Sequence, residues 1–470
     1  MTIPNGLGSI TLTVVSNTLT TYGNIVNNNT TVFKNGNGTW AMTGPSTSAQ
    51  SLGLIVTAGQ VLLDKQGGQA ITGGNNVGLT VEANALVQDE FNNQIHSDSA
   101  VPLPVNLSGG VWDLNGWNEN VDLLSISAGG TLRVGSNALS NGGGSTSTLD
   151  LISGYTASLT GTNCQFDVQQ GEILNFKGAI GGSGSLVTIG AGTLNLEGTN
   201  VYTGSTIISN GTLALPGVSS ISDTAGIDLL SIDSALDLSG NTDTNGNPTP
   251  VLTLQSGQKL SGIGVVTGLV VSLPGTVVAP GSASSVGTLT VTGVSGANTL
   301  NGTILMKLNK AGATNDQLSV SGSLVYGGTL ALTNLSGSLA PGDSFTLFPA
   351  AAGYSGTFAS INPSRPGYPG FGLAWNTNNL AVNGTLSIVA ASIPPSPKIT
   401  SSSLSGTTLL IHGSNGLANE PFVLLASTNV AATLPNWMPV LSNSFDGSGN
   451  FSVSIGVTNA AQEFFVIWTK

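Results

Sequence analysis

The feature of the sequence that most constrains the fold is a strand–corner–strand stretch between Gly190 and Leu215. Within it, apolar residues alternate with polar ones, and glycine, asparagine and threonine mark the corner between the two alternating segments. Alternation with a period of two, interrupted by glycine, is typical of short strands with one buried face. Its two Gly-Thr-Leu steps, at Gly192 and Gly211, lie about one solenoid coil apart, which indicates a unit that stacks on copies of itself.

A second copy of this unit lies near the beginning of the sequence. Gly36–Gly44 has the same spacing as Gly190–Gly198, with a tryptophan and a methionine in place of the two leucines. After a longer corner, Leu54–Leu63 aligns on Thr206–Leu215. Two aligned copies favour a degenerate β-solenoid over an ordinary sandwich or barrel. Fainter Gly-Thr-Leu echoes begin at Gly130, Gly287, Gly328 and Gly384.

The pattern G-x-G-T-L-x-L-x-G-x-N-x-Y-T-G, followed by G-T-L-x-L, resembles the autotransporter-associated β-strand repeat. That repeat is found in long secreted proteins of diderm bacteria. The resemblance covers about residues 35–389 and is most specific at Gly190–Leu215. It implies a right-handed parallel β-helix that is exported to the cell surface or the medium. It implies no activity, because such repeats are scaffold in proteins of varied roles.

The sequence predicts an all-β chain with four parts. These are an N-terminal strand or cap region at 1–33, a β-solenoid at 34–389, a Pro-rich linker at 390–397 and an Ig-like β-sandwich at 398–470. The sandwich resembles C-terminal modules of large secreted proteins of Verrucomicrobia-like bacteria. Almost no helix is expected, since strong helix formers are scarce. The most helix-compatible stretch, 81–90, is predicted as a lateral loop or short helix, and 237–250 as a loop between coils.

Charge and hydropathy limit the partners and the location. The net charge is −12, charged residues are 7% of the chain, and basic residues are not clustered. Nucleic acid and anionic membrane surfaces are therefore not expected as partners. The sequence contains no apolar run that could cross a membrane. Met1–Asn5 lacks the features of a signal peptide, so we expect an exported chain whose signal was removed before this numbering starts. It also lacks a translocation barrel, so we do not expect it to export itself.

No pattern of ionisable residues predicts catalysis or a cofactor. His96 and His412 lie far apart and lack recognisable partners, and Cys164 is interpreted as a small buried residue of a strand. The polysaccharide lyases and hydrolases that share the β-helix fold need clustered acids with basic partners. Here the acids are separated in the sequence and are interpreted as solubilising loop residues: Asp89, Glu90, Asp98, Asp113, Glu119, Asp122, Asp150, Asp167 and Glu172.

Two loops have oxygen-bearing side chains at alternate positions, as calcium loops do. One contains Asp243 and Asn245, and the other contains Asp446 and Asn450. Both lack the downstream glutamate of a calcium loop. We interpret the first as a loop and the second as a hairpin turn, and the sequence leaves calcium binding open.

These observations predict a non-enzymatic extracellular structural or adhesive protein, with end-to-end self-assembly into filaments as the leading hypothesis. Its expected partners are copies of itself and surface glycans, and no cofactor, metal site or catalytic residue is predicted. The alternative is a polysaccharide-binding or polysaccharide-cleaving β-helix. Because the aromatic residues gather late in the chain, around 345–375 and 422–468, glycan binding there is favoured over cleavage by the rod.

Overall fold

The structure is a computed structural model that describes residues 8–23, 25, 30–47, 52–72, 78–97, 102–135, 146–152, 154–362, 369–370, 372–391, 396–457 and 462–469. The chain divides into two compact units, one formed by 1–338, 344–363 and 377–387, the other by 339–343, 364–376 and 388–470. Within the described ranges, helix is limited to one α-turn at Leu380–Asn383 and one 3-10 turn at Leu434–Asn436. The all-β prediction is confirmed.

The first unit is a parallel β-helix, as predicted. Its strands stack in four parallel sheets, named I to IV here. Consecutive strands of a coil belong to different sheets, and the next coil adds a further strand to each of them. Each strand therefore pairs with strands one coil earlier and one coil later. Thr193–Leu196, for example, lies between Ile173–Lys177 and Gly211–Ala214. The right-handed sense of the coil stays a prediction, favoured by the usual handedness of parallel crossover connections.

Counted over the described residues, sheets I to IV have 8, 16, 9 and 5 strands. Sheet I contains Ser9–Thr13, Thr30–Asn35, Leu52–Val56, Leu79–Glu82, Pro104–Ser108, Leu123–Ser127, Thr156–Thr160 and Ala179–Gly182. Sheet II contains Thr18–Tyr22, Thr39–Gly44, Gly59–Lys65, Ala85–Asp89, Val111–Asp113, Thr131–Val134, Cys164–Val168, Leu186–Thr188, Thr206–Ile208, Gly226–Leu229, Lys259–Gly262, Val277–Pro280, Thr303–Asn309, Thr329–Asn334, Ser360–Asn362 and the side strand Thr314–Asn315.

Sheets III and IV complete the coils. Sheet III contains Glu119–Val121, Thr146–Leu151, Ile173–Lys177, Thr193–Leu196, Gly211–Ala214, Ser234–Asp237, Val265–Thr267, Thr288–Thr292 and Gln317–Val320. Sheet IV contains Val251–Leu254, Leu269–Ser272, Ala297–Leu300, Ser323–Tyr326 and Tyr354–Gly356. The sheets enclose one core that runs along the solenoid.

The core consists of apolar columns, because the period-two alternation turns every second side chain inward and the register places these side chains above one another. On sheet III, such a column passes through Leu174, Leu194, Leu213, Leu236 and Val266. Each of these side chains is at most 1% exposed. Burying one such side chain contributes about 1.5–3 kcal/mol, so the columns are the main stabilising feature of the coils.

The two copies of the sequence repeat adopt the same corner. Gly59 and Gly211 both have left-handed backbone, with φ of 73° and 68°. A Cβ at either position would overlap two carbonyl oxygens of the preceding coil, those of Gly36 and Gly38 or those of Gly190 and Gly192. The copies lie on different sheets, however: the strand after Gly59 belongs to sheet II and the strand after Gly211 to sheet III. The repeat therefore specifies a corner and not a face of the solenoid.

The prediction of a loop or short helix at 81–90 is wrong. Leu79–Glu82 and Ala85–Asp89 are strands of sheets I and II, separated by a corner at Asn84 with φ of 68°. Val81 and Val87 are fully buried in the core. Tertiary packing of these alternate apolar residues outweighs the helix propensity of the segment.

The cross-section of the solenoid changes along its length. Sheet I ends at Ala179–Gly182, and sheet IV begins only at Val251–Leu254. Between them, the same side of the coil is formed by irregular segments joined by isolated bridges, such as Thr199 with Ser220. The predicted loop at 237–250 lies directly before the first strand of sheet IV, and its position between strands is confirmed.

The C-terminal end of the first unit contains a cluster of aromatic rings. Tyr326 lies 4.7–6.1 Å, centroid to centroid, from the rings of Phe348, Tyr354 and Phe358. Its hydroxyl donates a hydrogen bond of 3.0 Å to the carbonyl oxygen of Leu380 in the α-turn. Burial raises the pKa of Tyr326. Ser344–Thr346 pairs antiparallel with Thr385–Ser387 beside this cluster.

The second unit contains the predicted β-sandwich. One antiparallel sheet consists of Lys398–Ser405, Thr408–Ser414 and Phe451–Gly456, and the other of Pro421–Ser427, Met438–Ser444 and Phe464–Thr469. Their shared core includes Ile411, Phe422, Leu424, Phe445 and Phe451. The sequence predicts five of these strands, at Thr408–Ile411, Pro421–Leu425, Trp437–Val440, Phe451–Ile455 and Phe464–Trp468. It does not predict Lys398–Ser405, because all eight residues of this strand are exposed and show no apolar alternation. Leu373–Asn376 is a further strand of this unit.

Two predicted boundaries are only partly described. Ser9–Thr13 and Thr18–Tyr22, within the predicted cap region 1–33, pair with the strands of the next coil and so form a coil of the solenoid. In the predicted linker 390–397, residues 392–395 lie outside the described ranges. So do residues 363–368 and 371, which fall in a Pro- and Gly-rich stretch.

Candidate functional site

The structure brings together several acids that are far apart in the sequence. Asp113, Arg133 and Asp167 occupy the same register position on three consecutive strands of sheet II. Asp64 and Glu90 lie just beyond the same positions on the two preceding coils of that sheet. These five residues, called the acidic row below, form the most concentrated group of charges that we identify on the solenoid. The stacking period, and not local sequence, places them side by side.

Arg133 is held firmly by Asp113 at the centre of the acidic row. The Asp113 Oδ2 atom accepts hydrogen bonds from the Arg133 Nε and Nη2 atoms at 2.9 and 2.8 Å. Its Oδ1 atom accepts hydrogen bonds from the backbone N–H groups of Asn115 and Gly135, both at 2.9 Å. Since both carboxylate oxygens already have two donors, Asp113 positions Arg133 and the local backbone. Arg133 in turn lowers the pKa of Asp167, which burial raises more strongly.

The outer carboxyl groups of the row are less constrained. Burial raises the pKa of Asp64, and the charge of Lys65 opposes that shift. Burial and then the charge of Asp64 raise the pKa of Glu90, whose Oε1 atom accepts a hydrogen bond of 2.9 Å from Gln88. Both side chains are partly exposed. They can accept hydrogen bonds from a polar ligand, or donate one when protonated.

Two carboxyl groups lie behind the row, in the interior of the coil. Asp89 and Glu119 are fully buried. Asp89 accepts hydrogen bonds of 3.1 and 3.2 Å from the Nε1 atom of Trp112, and Glu119 accepts the backbone N–H groups of Gln94 and Ile95. Burial raises the pKa of both carboxyl groups well above the usual range, and their mutual charge adds to the shift at Glu119. Asp89 therefore holds the indole of Trp112, and Glu119 holds the backbone of a loop. Neither carboxyl group faces solvent.

An aromatic pair lies in the same region of the coil. The rings of Phe91 and Trp117 are stacked with their centroids 5.3 Å apart. Both side chains are half-buried, and the Trp117 Nε1 atom is buried without a hydrogen-bond partner among the described residues. Phe91 directly follows Glu90 of the acidic row in the chain, and ligand sites often combine aromatic side chains with a few polar groups. Trp117 lies outside the late stretches 345–375 and 422–468 in which glycan binding was predicted, and nothing in the local sequence connects it with the acids.

The remaining predicted acids are distributed elsewhere. Asp122 is buried and accepts the backbone N–H of Leu103 at 3.0 Å. Asp150 lies on sheet III beside Lys177 of the next coil, and Glu172 is buried near a corner. Asp98 lies outside the described residues. The interpretation of the predicted acids as solubilising loop residues is therefore wrong for Asp89, Asp113, Glu119, Asp150 and Asp167, which lie within strands, and for Asp122 and Glu172, which are buried.

The two histidines are not brought together. His96 lies in the first unit, where its Nδ1 atom is 2.9 Å from the Oε1 atom of Gln69. His412 lies on a strand of the sandwich, beside Asp446 and Asn450 in an open concavity. Cys164 is fully buried in a strand of sheet II and burial raises the pKa of its thiol, so its interpretation as a small core residue is confirmed.

Both loops considered for calcium use their aspartate to close their own turn. The Asp243 Oδ1 atom accepts the backbone N–H groups of Asn245 and Asn247 at 2.8 and 2.9 Å. The Asp446 Oδ1 atom accepts those of Ser448 and Asn450, both at 2.8 Å. A hydrogen bond of 2.9 Å from the Asn247 side chain, together with these backbone groups, lowers the pKa of Asp243. The backbone hydrogen bonds from Asn450 and Ser448 lower the pKa of Asp446. Within the described part of the chain, no group of three or more His, Cys, Asp or Glu side chains is arranged to hold a metal ion.

Comparison with known proteins finds no matching family and no matching curated protein. Among the described residues, no helix is long and apolar enough to cross a membrane.

The late aromatic residues are largely structural: Phe345 and Phe348 are buried in the first unit, and Phe422, Phe445 and Phe451 fill the sandwich core.

Proposed function

We propose that this chain is a non-enzymatic extracellular structural and adhesive protein, in which the β-helix serves as a rod and self-assembles into filaments. The observation that carries the proposal is sheet II, whose main path is continuous from Thr18–Tyr22 to Ser360–Asn362. At ~4.8 Å per strand, this path has a length of about 65–70 Å. A solenoid of this kind presents backbone hydrogen bonds along its whole length, which opposes local unfolding and proteolysis.

The outermost described strands of sheets I and II support the self-assembly part of the proposal. Thr18–Tyr22 pairs with Thr39–Gly44 on one side, and it carries an exposed leucine and tyrosine, Leu19 at 38% and Tyr22 at 76%. Exposed edge strands with apolar side chains readily add further strands.

The test is negative-stain microscopy of the purified chain over a range of concentrations. We expect rods of about 65–70 Å at low concentration and filaments at high concentration. A Leu19→Lys/Tyr22→Lys variant should shorten the filaments, whereas Ile232→Lys, at a residue that is 74% exposed in a turn in the middle of the solenoid, should not. Single rods at every concentration would remove self-assembly from the proposal and leave the role of a monomeric stalk.

A second candidate, polysaccharide binding, is favoured by the acidic row together with the Phe91–Trp117 stack. A glycan-binding and turnover screen separates the two roles. Binding without turnover that is lost in Trp117→Ala would support an adhesin. Turnover that depends on Arg133 or Glu90 would instead support the polysaccharide-cleaving alternative and contradict a non-enzymatic role.

A further inference from the structure

The C-terminal β-sandwich has four edge strands among the described residues, and they differ in how they are protected against the addition of a further strand. Lys398–Ser405 begins with a lysine, and Met438–Ser444 contains Pro439. The ladders of both strands are also interrupted by a shift in register. Charges, prolines and interrupted ladders are the usual protection of sheet edges. Phe451–Gly456 lies against Met438–Ser444 and alternates buried residues with exposed serines.

The fourth edge strand, Phe464–Thr469, has none of these features. It contains no charged residue, proline or glycine, and its ladder with Pro421–Ser427 is continuous over all six residues. Within the described ranges, it pairs with no other strand. None of its six residues is buried, although five of them are large and apolar. A short, uncharged segment of high β-propensity at a free edge pairs readily with another strand.

The core of the sandwich is also open on the side of this strand. Since Met438–Ser444 and Phe451–Gly456 lie against each other at one side of the sandwich, the other side is formed by the two remaining edges. Leu404, on Lys398–Ser405, pairs with the core residue Leu409 and yet is 62% exposed. Two side chains of the fourth edge strand pack against the core but are only partly buried: Phe465 and Ile467. The sandwich by itself therefore leaves apolar surface uncovered on this open side.

The order of side chains along the strand fits an identical strand. Phe465 and Ile467 face the core, so the other three apolar residues lie on the outer face of the sheet. In an antiparallel pair, residues directly opposite each other share a face. Pairing about Val466 therefore places Phe464 of one copy opposite Trp468 of the other. It also places Phe465 opposite Ile467, so every contact in this register is apolar and no charge is buried.

We propose that Phe464–Thr469 pairs antiparallel with the same strand of a second copy of this chain, which joins two three-stranded sheets into one of six strands. The two copies are then related by a twofold axis perpendicular to the joined sheet, so their open sides face each other. Leu404 of each copy is covered by the apolar residues of the other. The contact is closed, because both copies use the same surface.

This interface goes beyond the proposed filament contact, which uses Leu19 and Tyr22 of the first unit. The twofold contact stops at two copies, whereas the filament contact continues from copy to copy. Filaments without the sandwich pair would leave the proposed function intact, and sandwich pairs without filaments would leave this inference intact. The two proposals can therefore fail separately.

The experiment is sedimentation velocity of the full chain over a range of concentrations, in the Leu19→Lys/Tyr22→Lys background so that filaments do not obscure the result. We expect a reversible monomer–dimer equilibrium with a Kd on the order of micromolar, since the contact is small. Hydrogen exchange followed by mass spectrometry locates the contact. The amides of Phe464–Thr469 should exchange more slowly at concentrations at which the dimer forms.

Two variants test the strand itself. Val466→Lys places two like charges directly opposite each other and should abolish the dimer. Val440→Lys is the matched control, because Val440 is 43% exposed on the opposite edge of the same sheet, and it should leave the dimer unchanged. Trp468→Ala should weaken the dimer about tenfold, since a large aromatic side chain is lost from its centre. If Val466→Lys lowers the Tm, Trp468→Ala decides, because Trp468 lies on the outer face and not in the core.

Three results would overturn the proposal. The first is a chain that sediments as a monomer at every concentration, which would leave the open side to a strand of a different protein. The second is a dimer that Val466→Lys and Trp468→Ala both leave unchanged. The third is a dimer in which the amides of Phe464–Thr469 exchange as fast as in the monomer.

Discussion

The early and late coils of the β-helix use different side chains to satisfy the polar groups that they bury. Each coil must satisfy polar groups that its corners bury. In the early coils, the buried polar residues include the ionisable side chains of Lys34, Lys65, Asp89 and Glu119. After about residue 180, the buried polar residues of the described chain are hydroxyls and amides, apart from Asp316. The fold therefore requires satisfied corners but does not specify whether a charge or a neutral group satisfies them.

The two copies of the repeat show this contrast at one equivalent position. Lys34 is fully buried, and its Nζ atom donates to the carbonyl oxygens of Gly36, Gly38 and Ala58 at 2.7–2.8 Å. The aligned residue of the later copy is Thr188, whose Oγ1 atom donates to the carbonyl oxygen of Asn210 at 3.2 Å. Ala58 and Asn210 both precede the corner glycine. One ammonium group thus makes three hydrogen bonds where a hydroxyl makes one.

The largest expected effect tests what the two copies share. Gly59→Ala and Gly211→Ala should each lower the free energy of unfolding by about 3 kcal/mol or more, because alanine is strained at positive φ and its Cβ overlaps carbonyl oxygens. Urea denaturation followed by circular dichroism measures the change. Gly447→Ala is the control, since a Cβ there meets no atom within 4 Å. Unequal losses at Gly59 and Gly211 would mean that the two corners are not equivalent, and no loss relative to Gly447→Ala would mean that neither corner requires glycine.

An intermediate effect tests what the copies do differently. Lys34→Met removes the donor to three carbonyl groups, of which that of Gly38 is buried, and should cost about 2–3 kcal/mol. Thr188→Val removes one donor at nearly constant volume and should cost about 1 kcal/mol. For Lys34→Met, the expected loss of stability is smaller than the number of lost hydrogen bonds suggests. Burial lowers the pKa of Lys34, because burying its charge costs free energy, and methionine avoids that cost. A larger loss at Thr188 than at Lys34 would contradict this comparison.

The smallest expected effect is a dependence of stability on pH that arises in the early coils. Burial raises the pKa of Asp89 and of Glu119 above their ordinary values of 3.8 and 4.5, so the folded chain binds protons more tightly than the unfolded chain. Their contribution to stability is fully present below those ordinary values and is lost as pH rises towards the folded pKa values. The Tm should therefore fall between pH 5 and pH 8.

Replacing the two buried acids with neutral amides should flatten that slope. Asp89→Asn keeps an oxygen acceptor for Trp112, and Glu119→Gln keeps one for the backbone of Gln94. Asp243→Asn is the matched control, because hydrogen bonds lower the pKa of this exposed aspartate and it stays ionised throughout the range. An unchanged slope in the Asp89→Asn/Glu119→Gln variant would assign the pH dependence to other groups.

The sequence by itself determined the type of fold, because the decisive signals are local. The alternation around Leu194 and Leu213 predicts strands with one buried face, and the glycines at 59 and 211 predict corners. Their spacing predicts stacking, and the structure places Thr193 beside Thr212 and Leu194 beside Leu213, as a solenoid requires. The sandwich strands were predicted where apolar residues form short runs or alternate, and Lys398–Ser405 was missed because its residues do neither.

Only the tertiary structure decided which distant residues become neighbours. The acidic row depends on the register of sheet II, which varies with the length of each coil: Asp113 and Arg133 are 20 residues apart, but Thr131 and Gln165, on the next pair of strands, are 34 apart. A sequence whose coils differ in length does not reveal this register. The irregular side of the coils between Ala179–Gly182 and Val251–Leu254 likewise depends on where sheet I ends and sheet IV begins, which is a property of the stacked coils and not of any one segment.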